Sequence, residues 1–289
     1  MFNKKEFTWP TNLQFLGLSE NNFRNEFLSS LNGLRHLKSL DLRNNQFEGP
    51  LNISGILGLS NLEILDLSHN NITHFVGYQD WSGLKMLEEL DISYNEFTGP
   101  LPPSYANLTS LRNLELSYNH FMGNIGSNLA SLTSLENLAF EGNQFEVPIS
   151  LTPFANHSNL KTIYGKGNKV IHDSQSNLVT WVPKFQLEVL SLSSMTHTNS
   201  LPLPNFLFYQ YNLSILECAG CGLEGEFPSW LLENNTNMIY LVLMNCSFTG
   251  TFKLPSRPLP TLYEIDLSNN SITGQIPNNN ISSIFPNLI

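Results

Sequence analysis

The hydrophobic positions of the chain fall into one recurring order. Leu13, Leu16 and Leu18 are followed by Asn21 and Phe23, and the same order returns at Leu37, Leu40, Leu42, Asn45 and Phe47. It recurs from Leu62 to Ile72, Leu87 to Phe97, Leu111 to Phe121, Leu135 to Phe145 and Leu160 to Val170, and restarts at Leu187, Leu213, Met238 and Leu262. The period is about 24 to 27 residues, so each copy is too short to bury an apolar face alone and must stack on its neighbours. Within a copy, x-L-x-L-x alternates with period two. That predicts a short strand with its leucines inward and the intervening residues on an open face. Asn21, Asn45, Asn70, Asn95, Asn119, Asn143, Asn168 and Asn270 follow the strands. An amide there can both donate and accept, satisfying backbone groups that the bend would orphan, so these residues are expected to form an inner ladder.

Six copies then carry a glycine at a fixed offset: Gly49-Pro50-Leu51, Gly99-Pro100-Leu101-Pro102, Gly123-Asn124-Ile125, Gly225-Glu226-Phe227-Pro228, Gly250-Thr251-Phe252 and Gly274-Gln275-Ile276-Pro277. This resembles the plant-specific leucine-rich repeat, L-x-G-x-I-P-x-x-L-x-x-L-x-x-L. Over nearly its whole length the chain is similar to the ectodomain of plant receptor-like proteins, which have repeats, a membrane span and a short tail but no kinase. The resemblance implies a leucine-rich repeat solenoid of the plant-specific type. Its form is a curved, α/β-type right-handed superhelix with a parallel β-sheet on the concave face and loops, 3-10 turns and short strands on the convex side. Residues 1–289 are expected to form a single solenoid of about eleven repeats, with a truncated twelfth at 284–289.

Members of that family place the repeats between cysteine-containing caps, after a signal peptide and before a membrane helix. Here the opening MFNKKEFTWPTNLQFL is broken by charge, no stretch reaches membrane-spanning length, and neither end carries a cysteine cap. The expectation is the middle of a longer protein on the extracellular side of the plasma membrane, attached only through a segment missing here. Uncapped terminal repeats predict marginal stability.

Charge and cysteine content narrow the function. With 24 acidic against 14 basic residues and a formal net charge of −10, the chain lacks the basic surface that phosphate binding requires, which excludes a nucleic-acid partner. Its three cysteines, Cys218, Cys221 and Cys246, are not a disulfide framework. Met195, Cys221 and Cys246 stand where the ladder asparagine is expected. The two cysteines read as small buried residues replacing the amide. The alternative is a Cys221–Cys246 bridge, because adjacent strands lie roughly 4.8 Å apart. Cys218 takes a core leucine place, and no histidine lies at ligand spacing from these thiols, so neither a metal nor another cofactor is expected. No phosphate loop, kinase catalytic loop, G-x-S-x-G elbow or H-E-x-x-H is present, and the reading is non-enzymatic.

Two concave columns carry the candidate ligand contacts. One lies between the second and third leucines and is largely acidic, with Asp66, Asp91 and Glu115 at its centre and Tyr164 interrupting it; Lys166 follows close by. It suits a basic peptide or protein, although L-D-L-S is also the family consensus there. The other column precedes the ladder asparagine and places His69, Tyr94 and Tyr118 in consecutive repeats as aromatic anchors. Glycosylation sequons occur at Asn52, Asn71, Asn107, Asn156, Asn212, Asn234, Asn245, Asn269 and Asn280. Most map to the convex side or flanks, but Asn245 and Asn269 fall on the concave face and would cover its C-terminal end. The resemblance implies a peptide or protein ligand, with adaptor and co-receptor kinases as signalling partners in defence or development. The alternatives are a secreted protein resembling polygalacturonase inhibitors, an intracellular leucine-rich sensor, and a truncated gene product without function.

Overall fold

Each x-L-x-L-x segment is an extended strand, and the strands lie side by side in sequence order. In the computed structural model, which describes residues 9–10, 12–76, 81–172, 181–194, 201–274 and 281–288, they form one parallel sheet. We number them β1 (Phe15–Gly17), β2 (Ser39–Asp41), β3 (Ile64–Asp66), β4 (Glu89–Asp91), β5 (Asn113–Glu115), β6 (Asn137–Ala139), β7 (Thr162–Ile171), β8 (Val189–Ser194), β9 (Ile215–Ala219), β10 (Tyr240–Val242) and β11 (Glu264–Asp266). The register is the one the repeat dictates, with Leu65 opposite Leu90, Leu90 opposite Leu114 and Leu114 opposite Leu138. One inward side chain per strand therefore stacks on its equivalent, while both strand neighbours face out.

The returning half of each repeat is irregular. It uses 3-10 turns such as Pro103–Asn107 and Thr152–Phe154, one-turn helices such as Ser54–Leu57 and Ile125–Leu129, and short parallel pairs such as Thr98–Gly99 with His120–Asn124. β7 is long enough to reach this side, where its Lys169–Ile171 end pairs with Glu146–Pro148. Between the two sides runs a continuous core of leucines. A file of phenylalanines extends it, with Phe97, Phe121 and Phe145 stacked at centroid distances of 5.4 and 5.7 Å. Close stacking leaves no room for a Cβ at Gly55, where one would strike the Leu28 carbonyl of the preceding repeat.

The asparagine ladder is present as the sequence requires. Asn95, buried, donates through Nδ2 to the carbonyls of Leu67, Ile92 and Ser93 at 3.0, 3.2 and 3.1 Å, and its Oδ1 accepts from the Ile72 amide at 3.0 Å. Asn70, Asn119, Asn143 and Asn168 make the equivalent Nδ2 bonds. Each amide thus ties its own turn to the repeat before it.

Cys221 and Cys246 are both buried, as expected, but the alternative bridge between them is not the one formed. The disulfide joins Cys218 to Cys221, and Cys246 is free and buried. The reason is local: left-handed Gly220, at φ +67°, turns the chain at the end of β9 and brings the two Cα atoms within 5.6 Å. Cys246 does replace the ladder amide. Its Sγ donates to the Cys218 carbonyl at 3.4 Å, the acceptor a ladder Nδ2 would use. Burial pushes its thiol pKa up. Met195 lies outside the described residues, as does Asn280.

Candidate functional site

The concave face is built from four outward columns, and two of them are closed sideways. In the column just before the strands, Lys38 pairs with Glu63 at 2.7 Å, and Arg112 bridges Glu88 and Glu136 at 3.7 and 3.2 Å. Lys161 adds a 2.8 Å contact to Glu136, and its hydrogen bond holds that carboxyl below the ordinary range. At the first strand position, the Asn113 amide donates to Glu89, Asn137 to Asn113 and the Thr162 hydroxyl to Asn137, at 2.9, 2.7 and 2.7 Å. The sequence reading missed both ladders. Opposite charges at residues 38 and 63, and their alternation along 88, 112, 136 and 161, were the signal that could have found the first.

The acidic column is only partly available. Asp41, Asp66, Asp91 and Glu115 are direct cross-strand neighbours, as the repeat predicted. Asp66 Oδ1 accepts from the Ser68 amide and hydroxyl at 2.9 and 2.7 Å, and Asp91 does the same with Ser93 at 2.8 and 2.7 Å. Glu115 accepts from the Ser117 amide at 3.0 Å. These carboxylates therefore buttress the strand-to-turn junctions as well as facing solvent. Arg43 lies 3.8 Å from Asp66, but among the described residues Asp91 and Glu115 form no ion pair. Burial raises the Asp91 pKa to about 6 despite the Ser93 hydrogen bonds, with repulsion from Asp66 and Glu115 adding to the effect. Further along, Lys166 is held by Glu217 at 2.8 Å, and Tyr164 is 37% exposed beside it.

The aromatic column is where the geometry is unusual. His69 and Tyr94 stack with centroids 4.2 Å apart and planes at 8°, and Tyr94 stacks on Tyr118 at 4.5 Å and 20°. All three are exposed; Tyr94 and Tyr118 keep 46% and 47% of their surface. The repeat holds this column in left-handed backbone, with φ values of +53°, +51° and +54°. Asn44, Asn245 and Asn269, or the glycines Gly142, Gly167 and Gly220, fill other places of the column. Those residue types accept a positive φ readily, whereas tyrosine there costs of order 1 kcal/mol. The stack is thus half in water on strained backbone.

Beyond β8 apolar side chains enter the outward columns beside Glu217, Glu264 and Asp266. Ile215, Tyr240 and Val242 are half-buried and Tyr263 is exposed, with the Tyr240 and Tyr263 rings 5.8 Å apart. Asn245 and Asn269 flank this end, both exposed at φ +53° and +54°. Asn52, Asn71, Asn107, Asn156, Asn212 and Asn234 are exposed too. Among the described residues no group of three or more His, Cys, Asp or Glu could hold a metal ion, and no helix is long and apolar enough to cross a membrane.

Comparison with known proteins agrees with this architecture. Leucine rich repeat family profiles match residues 33–50, 51–97, 110–132 and 261–289. Cuscuta receptor 1 of Solanum lycopersicum is 40% identical over 147 residues, 51% of this chain and 13% of that protein. Receptor-like protein 14 of Arabidopsis thaliana is 38% identical over 147 residues, 50% of this chain and 14% of its own. The chain therefore matches only a small part of the length of these relatives. Among solved structures, the plant peptide hormone receptor RGFR1 in complex with RGF2 superposes with a TM-score of 0.65 at 22% identity, covering 92% of this chain and 45% of that one. A Listeria monocytogenes internalin gives 0.62 at 25% identity, covering 95% and 79%, so the fold is shared beyond plants and does not by itself assign a function. The chain is a leucine-rich repeat protein, and the proteins it resembles in sequence are plant receptor-like proteins.

Proposed function

We propose that this chain is a non-enzymatic recognition scaffold, one solenoid of about eleven repeats from the ectodomain of a plant cell-surface receptor-like protein. Its concave face binds a peptide or protein ligand, and the receptor signals through adaptor and co-receptor kinases at the plasma membrane, in defence or development. Sequence relatives named as receptors support this reading. The observation that carries it is the exposed stack of His69, Tyr94 and Tyr118 in left-handed backbone. Strained backbone that leaves the rings half in water points to use rather than stability. Asp66, Asp91, Glu115, Tyr164 and Lys166 flank the stack as polar contacts. Glycans on the exposed sequons would leave β2 to β7 open while covering the C-terminal end from Asn245 and Asn269.

Peptides selected from a random displayed library against the protein test the location. With p-benzoylphenylalanine at Asn113 on the concave sheet, illumination should cross-link the selected peptide. The same group at Ser127 on the convex side should not. Cross-linking at Ser127 alone would move the site off the concave face and defeat the proposal.

A further inference from the structure

The aromatic stack ends in an open slot. After Tyr118, the next two places in the column are Gly142 and Gly167. A Cβ on Gly142 would lie 2.9 Å from Tyr118 Cδ1 and 3.2 Å from Cε1, so the ring, stacked on Tyr94 on one side, leans over Gly142 and fills the place of a side chain there. A Cβ on Gly167 would meet only the backbone of Gly142, at 3.4 and 3.5 Å. The open part of the slot thus lies over Gly167, with the Tyr118 ring over Gly142 as its wall, and at about 4.8 Å per strand it is one strand wide.

Charge around it is unbalanced. The cation on its flank, Lys166, is already held by Glu217 at 2.8 Å. Glu141, one residue before Gly142, is half-buried and forms no ion pair among the described residues, and burial pushes its carboxyl pKa up against the opposing pull of the Lys166 charge. Glu115 likewise forms no ion pair there. Both carboxylates are close enough to the stack for their fields to reach the Tyr94 hydroxyl.

We propose that this slot takes an arginine side chain of the ligand, its guanidinium stacked on the far face of Tyr118 above Gly167 and donating to Glu141 and Glu115. The inference rests on the concave-face reading. A guanidinium supplies both things that the slot lacks: a plane to continue the stack and a delocalised charge with several N–H donors for carboxylates. A lysine ammonium supplies the charge without the plane. A ligand aromatic ring supplies the plane but brings no charge to Glu141 and Glu115.

Fluorescein-labelled hexapeptide mixtures, each with one fixed residue and otherwise randomised, test the preference by anisotropy. Fixed arginine should bind at least five-fold tighter than fixed lysine and at least ten-fold tighter than fixed citrulline, which keeps the planar shape without the charge. Glu141→Gln and Tyr118→Asn should each erase that preference; asparagine suits the left-handed backbone, so the second variant should stay folded. Equal affinity for arginine and citrulline, or a preference that survives both substitutions, overturns the arginine slot. If affinity still falls with Tyr94→Asn, concave-face recognition stands without it. Binding indifferent to every concave substitution overturns the parent reading as well.

Discussion

The ring of Tyr118 occupies the space that a side chain at residue 142 would take, since a Cβ there would lie 2.9 Å from Tyr118 Cδ1. Gly142 also sits at φ +60°. Gly142→Ala therefore adds left-handed strain of about 1–2 kcal/mol and pushes the ring out of its stack. Thermal unfolding should show the loss of stability, and the ring signals of Tyr118 should shift by NMR. Unchanged stability and spectra would mean that the ring does not lean over residue 142.

The inner ladder makes a larger prediction. Removing the amide in Asn95→Ala leaves the Leu67, Ile92 and Ser93 carbonyls and the Ile72 amide without that partner in a buried turn. A single unsatisfied buried group costs about 1–3 kcal/mol, so denaturant unfolding should show a loss of at least ~2 kcal/mol. A loss under ~1 kcal/mol would mean that water replaces the amide.

Asp91 gives a pH signature. Burial raises its pKa from 3.8 to about 6, so between those values the unfolded chain releases the proton first and stability falls as pH rises. Asp91→Asn removes the charge and keeps an oxygen for the Ser93 amide and hydroxyl. The variant should melt higher than the parent above pH 6, with the difference shrinking towards zero near pH 4. A constant difference across that range would show that Asp91 is not the titrating group.

Much of this was legible because the repeat fixes it. The inward places of Leu65, Leu90 and Leu114, the turn role of Asn70 and Asn95, and the adjacency of His69, Tyr94 and Tyr118 all follow from one period, which the parallel register repeats without slippage from β3 to β5. What did not follow depends on side-chain direction or local turns. The Cys218–Cys221 bridge needs the left-handed bend at Gly220, which spacing between repeats does not reveal. The strain under the aromatic stack was hidden because Tyr94 and Tyr118 are residue types not normally read as left-handed. The bare floor beyond Tyr118 required knowing which way its ring leans.

The thiols offer a direct check of the correction. Cys246 is buried with its pKa raised, so a thiol reagent at neutral pH should react slowly with the native protein. Unfolding without reductant should expose one thiol, and unfolding after reduction should expose all three cysteines. Three reactive thiols without reductant would show that Cys218 and Cys221 are not bridged.

The central claim is that the aromatic stack serves recognition and contributes little to stability. In Tyr94→Asn/Tyr118→Asn, relief of left-handed strain, about 1 kcal/mol per site, opposes the loss of two stacking contacts, about 0.5–1.5 kcal/mol each. These terms cancel to within about 1 kcal/mol. The deciding measurement is the unfolding free energy of this double variant, taken alongside its affinity for a library-selected peptide. The account predicts stability within about 1 kcal/mol of the parent and affinity at least ten-fold weaker; a loss above about 2 kcal/mol with affinity unchanged would make the stack a structural buttress and contradict it.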